Sequence, residues 1–360
     1  MIFWSLIALV VLAPLPFGSI YPWAWSSMAV IVAILLFCWC IKTLISSNGP
    51  TIGLNRTWFL ILPFALVCGW VGIQMAPWTP ESWHHPLWKD AAEILGKEIK
   101  GSISLVPFET GSGLLRLLTF GGIFWLAMQY GRNHQDANKM ILALICAGTV
   151  YSIYGLYIEF TGSNTILWFE KERYKDNLTS TFRYKNSFAT YAGIVVICSL
   201  GFFFRQFSKL GEESLGKFEL RRQVITWLLT DGWKHLLPIV IVLTALILSD
   251  SRAGLFCTIL GVVTLIAAIK VSHLKNIPYF GKLSFFAIAI IMGIFINSGS
   301  GVFDRLVSER IDTDVRGEIF ASTFDAIVDR PILGYGSGTF ENSFYLYHQK
   351  IRSHLDNLVG

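Results

Sequence analysis

A few ionisable residues of this chain stand where a charge is costly. Arg252 occupies Leu248-Ser-Asp-Ser-Arg-Ala-Gly254, a tight turn between two apolar runs, and Arg116 lies inside another such run. In hydrocarbon a charged side chain costs about 3 kcal/mol or more, so an ionisable residue at membrane depth is a functional-site candidate. Arg252 reads either as half of an ion pair with Asp250 that fixes the turn, or as a ligand for an anion at the interface. Arg116 either snorkels or pairs structurally, or it serves a site. Arg183 and Lys185 directly precede an apolar run in Thr181-Phe-Arg-Tyr-Lys-Asn186-Ser. Arg316 falls in the first turn of an expected helix, where a cation opposes the helix dipole. It points to an external anion, or else to a carboxylate such as Asp312 or Glu318.

Two further patterns could carry chemistry. The alternating glycines of Gly334-Tyr-Gly336-Ser-Gly338 either expose backbone N–H groups to a phosphate or let two backbones approach closely. His354, in Arg352-Ser-His-Leu-Asp356, is either a base for an incoming hydroxyl, oriented by Asp356, or an ordinary exposed histidine. His84 and His85 have no third ligand nearby, so no metal site is expected. No Walker loop, HExxH or clustered carboxylate pair supports ATP use or zinc hydrolysis, and no cofactor is expected.

The elements that must hold these residues are membrane helices. The chain is 53% hydrophobic and 15% charged, against about 25% charged in a soluble domain. Leu60 to Met75, Leu236 to Leu248 and Leu283 to Ile296 carry no charge at all. Each approaches the ~20 residues that cross a bilayer, and in lipid such blocks must be helical to pair their backbone groups. The expected fold is an all-α polytopic transmembrane helix bundle. About nine spans are placed near 3–20, 22–43, 57–76, 112–131, 138–160, 187–205, 236–250, 253–271 and 283–298. The first has no basic n-region and no cleavage site, and so reads as a span rather than a signal peptide. Residues 1–298 form the bundle, and 299–360 form a large, partly helical outer loop. In that loop Asp314–Asp329 has helical spacing, Asp312 and Thr313 as caps, and Pro331 as the stop.

Basic residues set the orientation. Lys42 with Arg56, Arg132 with Lys139, Lys270 with Lys275 and Lys282, and the basic 205–234 linker share one side. By the positive-inside rule that side is the cytoplasm, and loops 77–111, 161–186 and 299–360 are outside. Phe218–Trp233 reads as an amphipathic helix on the inner leaflet. The formal net charge of +5 has many of its cations in loops between apolar blocks, which argues against either nucleic acid or anionic lipid as its main purpose. Membrane lipids are expected around the bundle, and no nucleic acid is expected as a partner. All six cysteines lie in apolar blocks and read as packing residues.

Three stretches together resemble the O-antigen ligase and polymerase superfamily of bacterial envelope enzymes. They are Thr181-Phe-Arg-Tyr-Lys-Asn-Ser-Phe-Ala-Thr-Tyr-Ala192, Leu248-Ser-Asp-Ser-Arg-Ala-Gly254, and Arg316 followed by Arg330-Pro-Ile-Leu-Gly-Tyr-Gly-Ser-Gly-Thr-Phe340. The resemblance covers about 180–360. It implies transfer of a glycan from an undecaprenyl-diphosphate donor to an acceptor hydroxyl at the periplasmic face of the bacterial inner membrane. The acceptor would be lipid A core or another glycan, and neither metal nor nucleotide would take part. Arg252 and Arg316 match the family's diphosphate-holding arginines, and His354 its acceptor-activating or acceptor-positioning histidine. Arg183, Lys185, Gly334, Gly336 and Gly338 would help to bind substrate. Displacement at the anomeric carbon would invert it. The chain departs from the family pattern at Lys185-Asn186-Ser, where a second Asn is usual. Relatives also continue with further spans beyond the His354 segment, so a fragment or truncated product is expected. A polymerase of the same superfamily is the nearest alternative. A lipid-linked glycan transporter or flippase is another, and it would need polar residues at the bilayer midplane and broken helices in two halves.

Overall fold

The computed structural model describes residues 1–46, 49–211, 217–271, 281 and 317–347. The described residues are all-α apart from one short hairpin, and seven of their helices are long and apolar enough to cross a membrane. Large apolar side chains such as Phe37, Leu66, Phe124, Val150 and Leu260 point outwards, as they do where the surroundings are lipid. The protein is a multi-pass membrane protein. It divides into two compact units, one made of Met1–Trp25 and Asn133–Gly301, the other of Ser26–Arg132 and Val302–Gly360.

The first unit contains α1 (Ile2–Leu12), the start of α2 (Pro22–Ile45), α6 (His134–Phe160), α7 (Lys185–Ser208), α8 (Lys217–Trp227), α9 (Trp233–Leu248) and α10 (Arg252–Val271). A two-stranded hairpin, Thr165–Ile166 with Phe169–Glu170, stands between α6 and α7. The most enclosed helix is α7: Phe188, Ala192, Val195, Val196, Phe203 and Phe207 repeat at helical spacing and are buried. It packs against α6, α9 and α10. Lipid is as apolar as a leucine side chain, so this association depends on close packing of small residues rather than on the hydrophobic effect. A Cβ added at Gly193 would lie 2.3 Å from Thr258 Oγ1, one at Gly254 would lie 2.5 Å from the Ala189 Cβ, and one at Gly148 would lie 2.4 Å from Val195.

The second unit contains most of α2, together with α3 (Leu54–Met75), α4 (Leu87–Leu95), α5 (Pro107–Gly131), a helix over 317–329 (α11) and one over 340–347 (α12). Close packing recurs here: a Cβ at Gly121 would meet Phe64 at 2.4 Å, and one at Gly122 would meet Val32 at 2.7 Å. The loop before α3 is clamped by Gln129 near the end of α5. Its Nε2 donates to the Ile52 carbonyl and its Oε1 accepts the Ile52 amide, both at 3.0 Å.

The structure differs from the expected elements in two places. The run expected to cross at 3–20 is α-helical only over Ile2–Leu12, about 16 Å at 1.5 Å per residue. Pro14 and Pro16 end it, and Phe17, Gly18 and Ser19 all take left-handed φ of 54°, 66° and 57°. The stretch expected as a separate amphipathic helix at Phe218–Trp233 instead runs on into α9 through a π-helical turn at Leu228–Gly232. The Trp227 ring lies against Gly232, where a Cβ would come within 2.8 Å of it, and packs on Phe203 and Phe207 of α7. The ninth expected span, 283–298, lies outside the described residues.

Candidate functional site

Arg183 is held by a segment that the broken end of α1 makes possible. The amide of Leu178 donates to the Leu248 carbonyl at 3.1 Å. The Ser180 hydroxyl donates to the Tyr151 carbonyl at 2.7 Å and the Thr181 hydroxyl to the Pro14 carbonyl at 2.8 Å. The Phe182 ring occupies the space that a Cβ on Gly18 would need, 2.5 Å away, and the φ of +66° at Gly18 suits glycine independently. With its backbone fixed, Arg183 donates through Nη1 to Tyr21 Oη at 2.6 Å and through Nη2 to the Glu172 carboxylate at 2.7 Å. Lys171, buried beside this loop, donates to the Asn177 carbonyl at 3.0 Å. Its burial lowers its pKa, with Glu159 opposing.

The turn carrying Arg252 is built just as locally. After Leu248 the Asp250 backbone goes left-handed, at φ 49°, a region that Asp tolerates better than most residues. Ser251 is 1% exposed. Its Oγ accepts the Gly254 amide at 3.2 Å, capping α10, and donates to Asn186 Oδ1 at 2.9 Å. Lys185 Nζ lies 3.2 Å from the Asp250 carbonyl and 3.6 Å from its carboxylate. The N-termini of α7 and α10 therefore stand side by side, with Lys185 in the first turn of one and exposed Arg252 in the first turn of the other. Helix N-termini carry partial positive charge and unpaired amides. Cations at such ends add to this potential and suit an anion there.

In the second unit the glycine turn is seated on the α3 and α5 helices. Gln74, 7% exposed near the end of α3, donates through Nε2 to the Leu333 carbonyl at 2.9 Å and accepts the Ser337 amide at Oε1, 3.1 Å. The Leu105 amide donates to the Tyr335 carbonyl at 2.9 Å. Gly334, Gly336 and Gly338 have φ of 67°, 100° and 82°. A Cβ on Gly336 would lie 2.4 Å from Ser104 Oγ, and one on Gly338 would lie 3.0 Å from the Glu109 carbonyl. Gly336 is thus crowded by side-chain hydroxyls and Gly338 by a backbone carbonyl, whereas Gly334 has only ordinary contacts.

Beside the turn, Arg330 donates to the Trp83 carbonyl at 2.6 Å, and burial lowers its pKa. Tyr347 donates to Asp329 at 2.6 Å and is hydrogen-bonded to Tyr335. Burial and the Asp329 carboxylate raise the pKa of its phenol. His85 is buried and is pushed down to about 4, by desolvation first and by Arg330 second, with Asp90 opposing.

Of the residues singled out in the sequence, Arg183, Lys185 and Arg252 belong to the first unit, and Gly334, Gly336 and Gly338 to the second. Arg116 is exposed on α5. Arg316, His354, Asp312, Thr313 and Asp356 lie outside the described residues. The 317–329 helix does stop just before Pro331. Among the described residues no group of three His, Cys, Asp or Glu is placed to hold a metal ion. Sequence reasoning missed Tyr21, Glu172, Gln74 and Ser104. Gln74 had a signal, since it is the only strongly polar side chain in the otherwise apolar run 60–75.

Residues 237–358 match the family model described as O-antigen ligase. Comparison with curated proteins and with solved structures gives no match. The matched stretch takes in most of α9, the Arg252 turn, α10 and the glycine turn, and over it the chain is similar to the O-antigen ligase family.

Proposed function

We propose that this protein is a glycosyltransferase of the O-antigen ligase type, passing a glycan from an undecaprenyl-diphosphate donor to an acceptor hydroxyl at the periplasmic face of the bacterial inner membrane. The observation that carries the reading is the paired start of α7 and α10. Lys185–Asp250 and Asn186–Ser251 contacts join the two helix N-termini, and Lys185 and Arg252 sit in their first turns. That arrangement suits a diphosphate at the membrane interface, where the lipid tail of the donor would hold it.

In the proposed step the acceptor oxygen attacks the anomeric carbon while the bond to the diphosphate oxygen breaks, so the configuration inverts. The bonding pair leaves with the diphosphate, whose growing charge is met by Arg252 and Arg316, since guanidinium groups bind such oxygens in pairs. The hydroxyl proton passes to His354. The acceptor would be lipid A core, with a further glycan repeat as the alternative that makes a polymerase.

The test is transfer in vitro from an undecaprenyl-diphosphate glycan, in chelator-containing buffer, by wild type and by Arg252→Ala, Arg316→Ala and His354→Ala. Transfer by wild type, with all three variants folded and at least ~100-fold slower, supports the reading. Wild-type protein that binds the donor without transferring it to either acceptor sinks the enzyme and favours a transporter.

A further inference from the structure

On the first unit, away from the Arg252 turn, α6, α7 and α9 enclose an open cavity of about 310 Å³. That is at the small end of ligand pockets, ~300–1,000 Å³. Its walls are mainly apolar, with Ile145, Val150, Phe202 and Pro238 among them, and Lys234 and His235 stand at one end. Depth can be counted along the helices at 1.5 Å per residue. Lys234 lies about 21 Å from the Leu248 end of α9, and Phe202 lies about 26 Å from Lys185 along α7. The hydrocarbon core is ~30 Å thick, so the cavity lies in the half of the membrane far from Lys185 and Asp250, with Lys234 close to that far interface. Trp233, half-exposed beside Lys234, is the residue type that marks such a boundary.

Two opposite charges stand at this end. Lys234 Nζ is 2.8 Å from Asp231 Oδ1, and both side chains are more than half exposed. An exposed pair of this kind contributes little by itself, and at a lipid-facing boundary each charge gains from a second partner. The backbone adds an acceptor: Pro238 has no amide, so the Lys234 carbonyl lacks its usual helical donor. His235 is held between Trp227 and Phe202, with ring centroids at 6.1 and 5.5 Å. A cation and an anion one turn apart complement a head group that carries both charges.

We propose that this groove binds a phospholipid with an amine-bearing zwitterionic head group, of the phosphatidylethanolamine kind. One acyl chain lies along the apolar wall, the phosphate meets Lys234 and His235, and the ammonium donates to Asp231. A purely anionic head group would bring its charge beside the Asp231 carboxylate. A quaternary choline head could not donate a hydrogen bond to it. The site is separate from the proposed glycan chemistry and stands or falls independently of it.

The experiment is native mass spectrometry of the purified full chain in detergent, titrated with phosphatidylethanolamine, phosphatidylcholine and phosphatidylglycerol of identical acyl chains. Wild type should retain the ethanolamine lipid about tenfold better than either other, the scale of one charge-assisted hydrogen bond. Asp231→Asn should erase that preference and raise retention of phosphatidylglycerol. Lys234→Gln should weaken all three, and Val150→Trp, a change at an exposed wall residue, should block them. Equal retention of the three lipids by wild type overturns the proposal, as does a wild-type preference for phosphatidylglycerol. So does an ethanolamine preference that survives Asp231→Asn, or retention unchanged by Val150→Trp.

Discussion

The Ser337 amide donates to Gln74 Oε1 at 3.1 Å, while the other end of the same side chain reaches the Leu333 carbonyl at 2.9 Å. One buried amide thus holds both sides of the glycine turn, acting on the turn as a neighbouring strand would.

Replacing Gln74 by Leu should therefore strand a half-buried amide and a half-buried carbonyl. Each such loss costs about 1–3 kcal/mol. Hydrogen exchange at 333–339 should rise by at least tenfold with little change in α7. Gln74→Glu keeps the acceptor and loses the donor, so exchange should rise less. Unchanged exchange in both variants would mean that the clamp does not hold in the membrane.

Gly336→Ala tests the close approach directly. The added Cβ would meet Ser104 Oγ at 2.4 Å, in a backbone at φ 100° that L residues rarely adopt. Thermal unfolding in detergent should show a loss of about 1–3 kcal/mol. Adding Ser104→Gly should restore only part of it, because the backbone strain remains.

The small-residue contacts of α7 with α10 predict a second sensitive place. Gly193→Leu should force these helices apart, since even a Cβ would lie 2.3 Å from Thr258 Oγ1. Ile194→Leu, next to it on the exposed side, should leave the melting temperature within about a degree or two. A Gly193→Leu protein as stable as wild type would count against the packing.

His85 should make stability depend on pH. Its folded pKa of about 4 lies below the ordinary 6.5, so between these values the unfolded chain binds more protons. Stability contributed by the neutral ring is complete above about 6.5 and is lost as pH falls towards about 4. Melting curves across this window should show the decline, and His85→Gln should flatten it. A His85→Gln curve parallel to wild type would assign the decline to other groups.

Sequence alone determined that this chain is a membrane protein, because uncharged runs such as 60–75 and 236–248 leave helices in lipid as the way to pair the backbone. The turn around Arg252 was equally legible: two apolar runs separated by a few polar residues can only meet at the edge of the membrane. The stop of α11 before Pro331 was legible too, because proline removes the amide that the next turn needs.

The tertiary structure alone decided what those places are attached to. The first apolar run looked long enough to cross, yet Pro14 and Pro16 end its helix, and the segment beyond brings Tyr21 to Arg183. Hydropathy cannot report this, since it averages over residues whose backbone geometry differs. The glycines at 334, 336 and 338 left phosphate cradle and close approach open. The turn is held by Gln74 and crowded by Ser104 and Glu109, which are more than two hundred residues away in the chain. Contacts over that separation depend on how helices pack side by side, which no local pattern encodes.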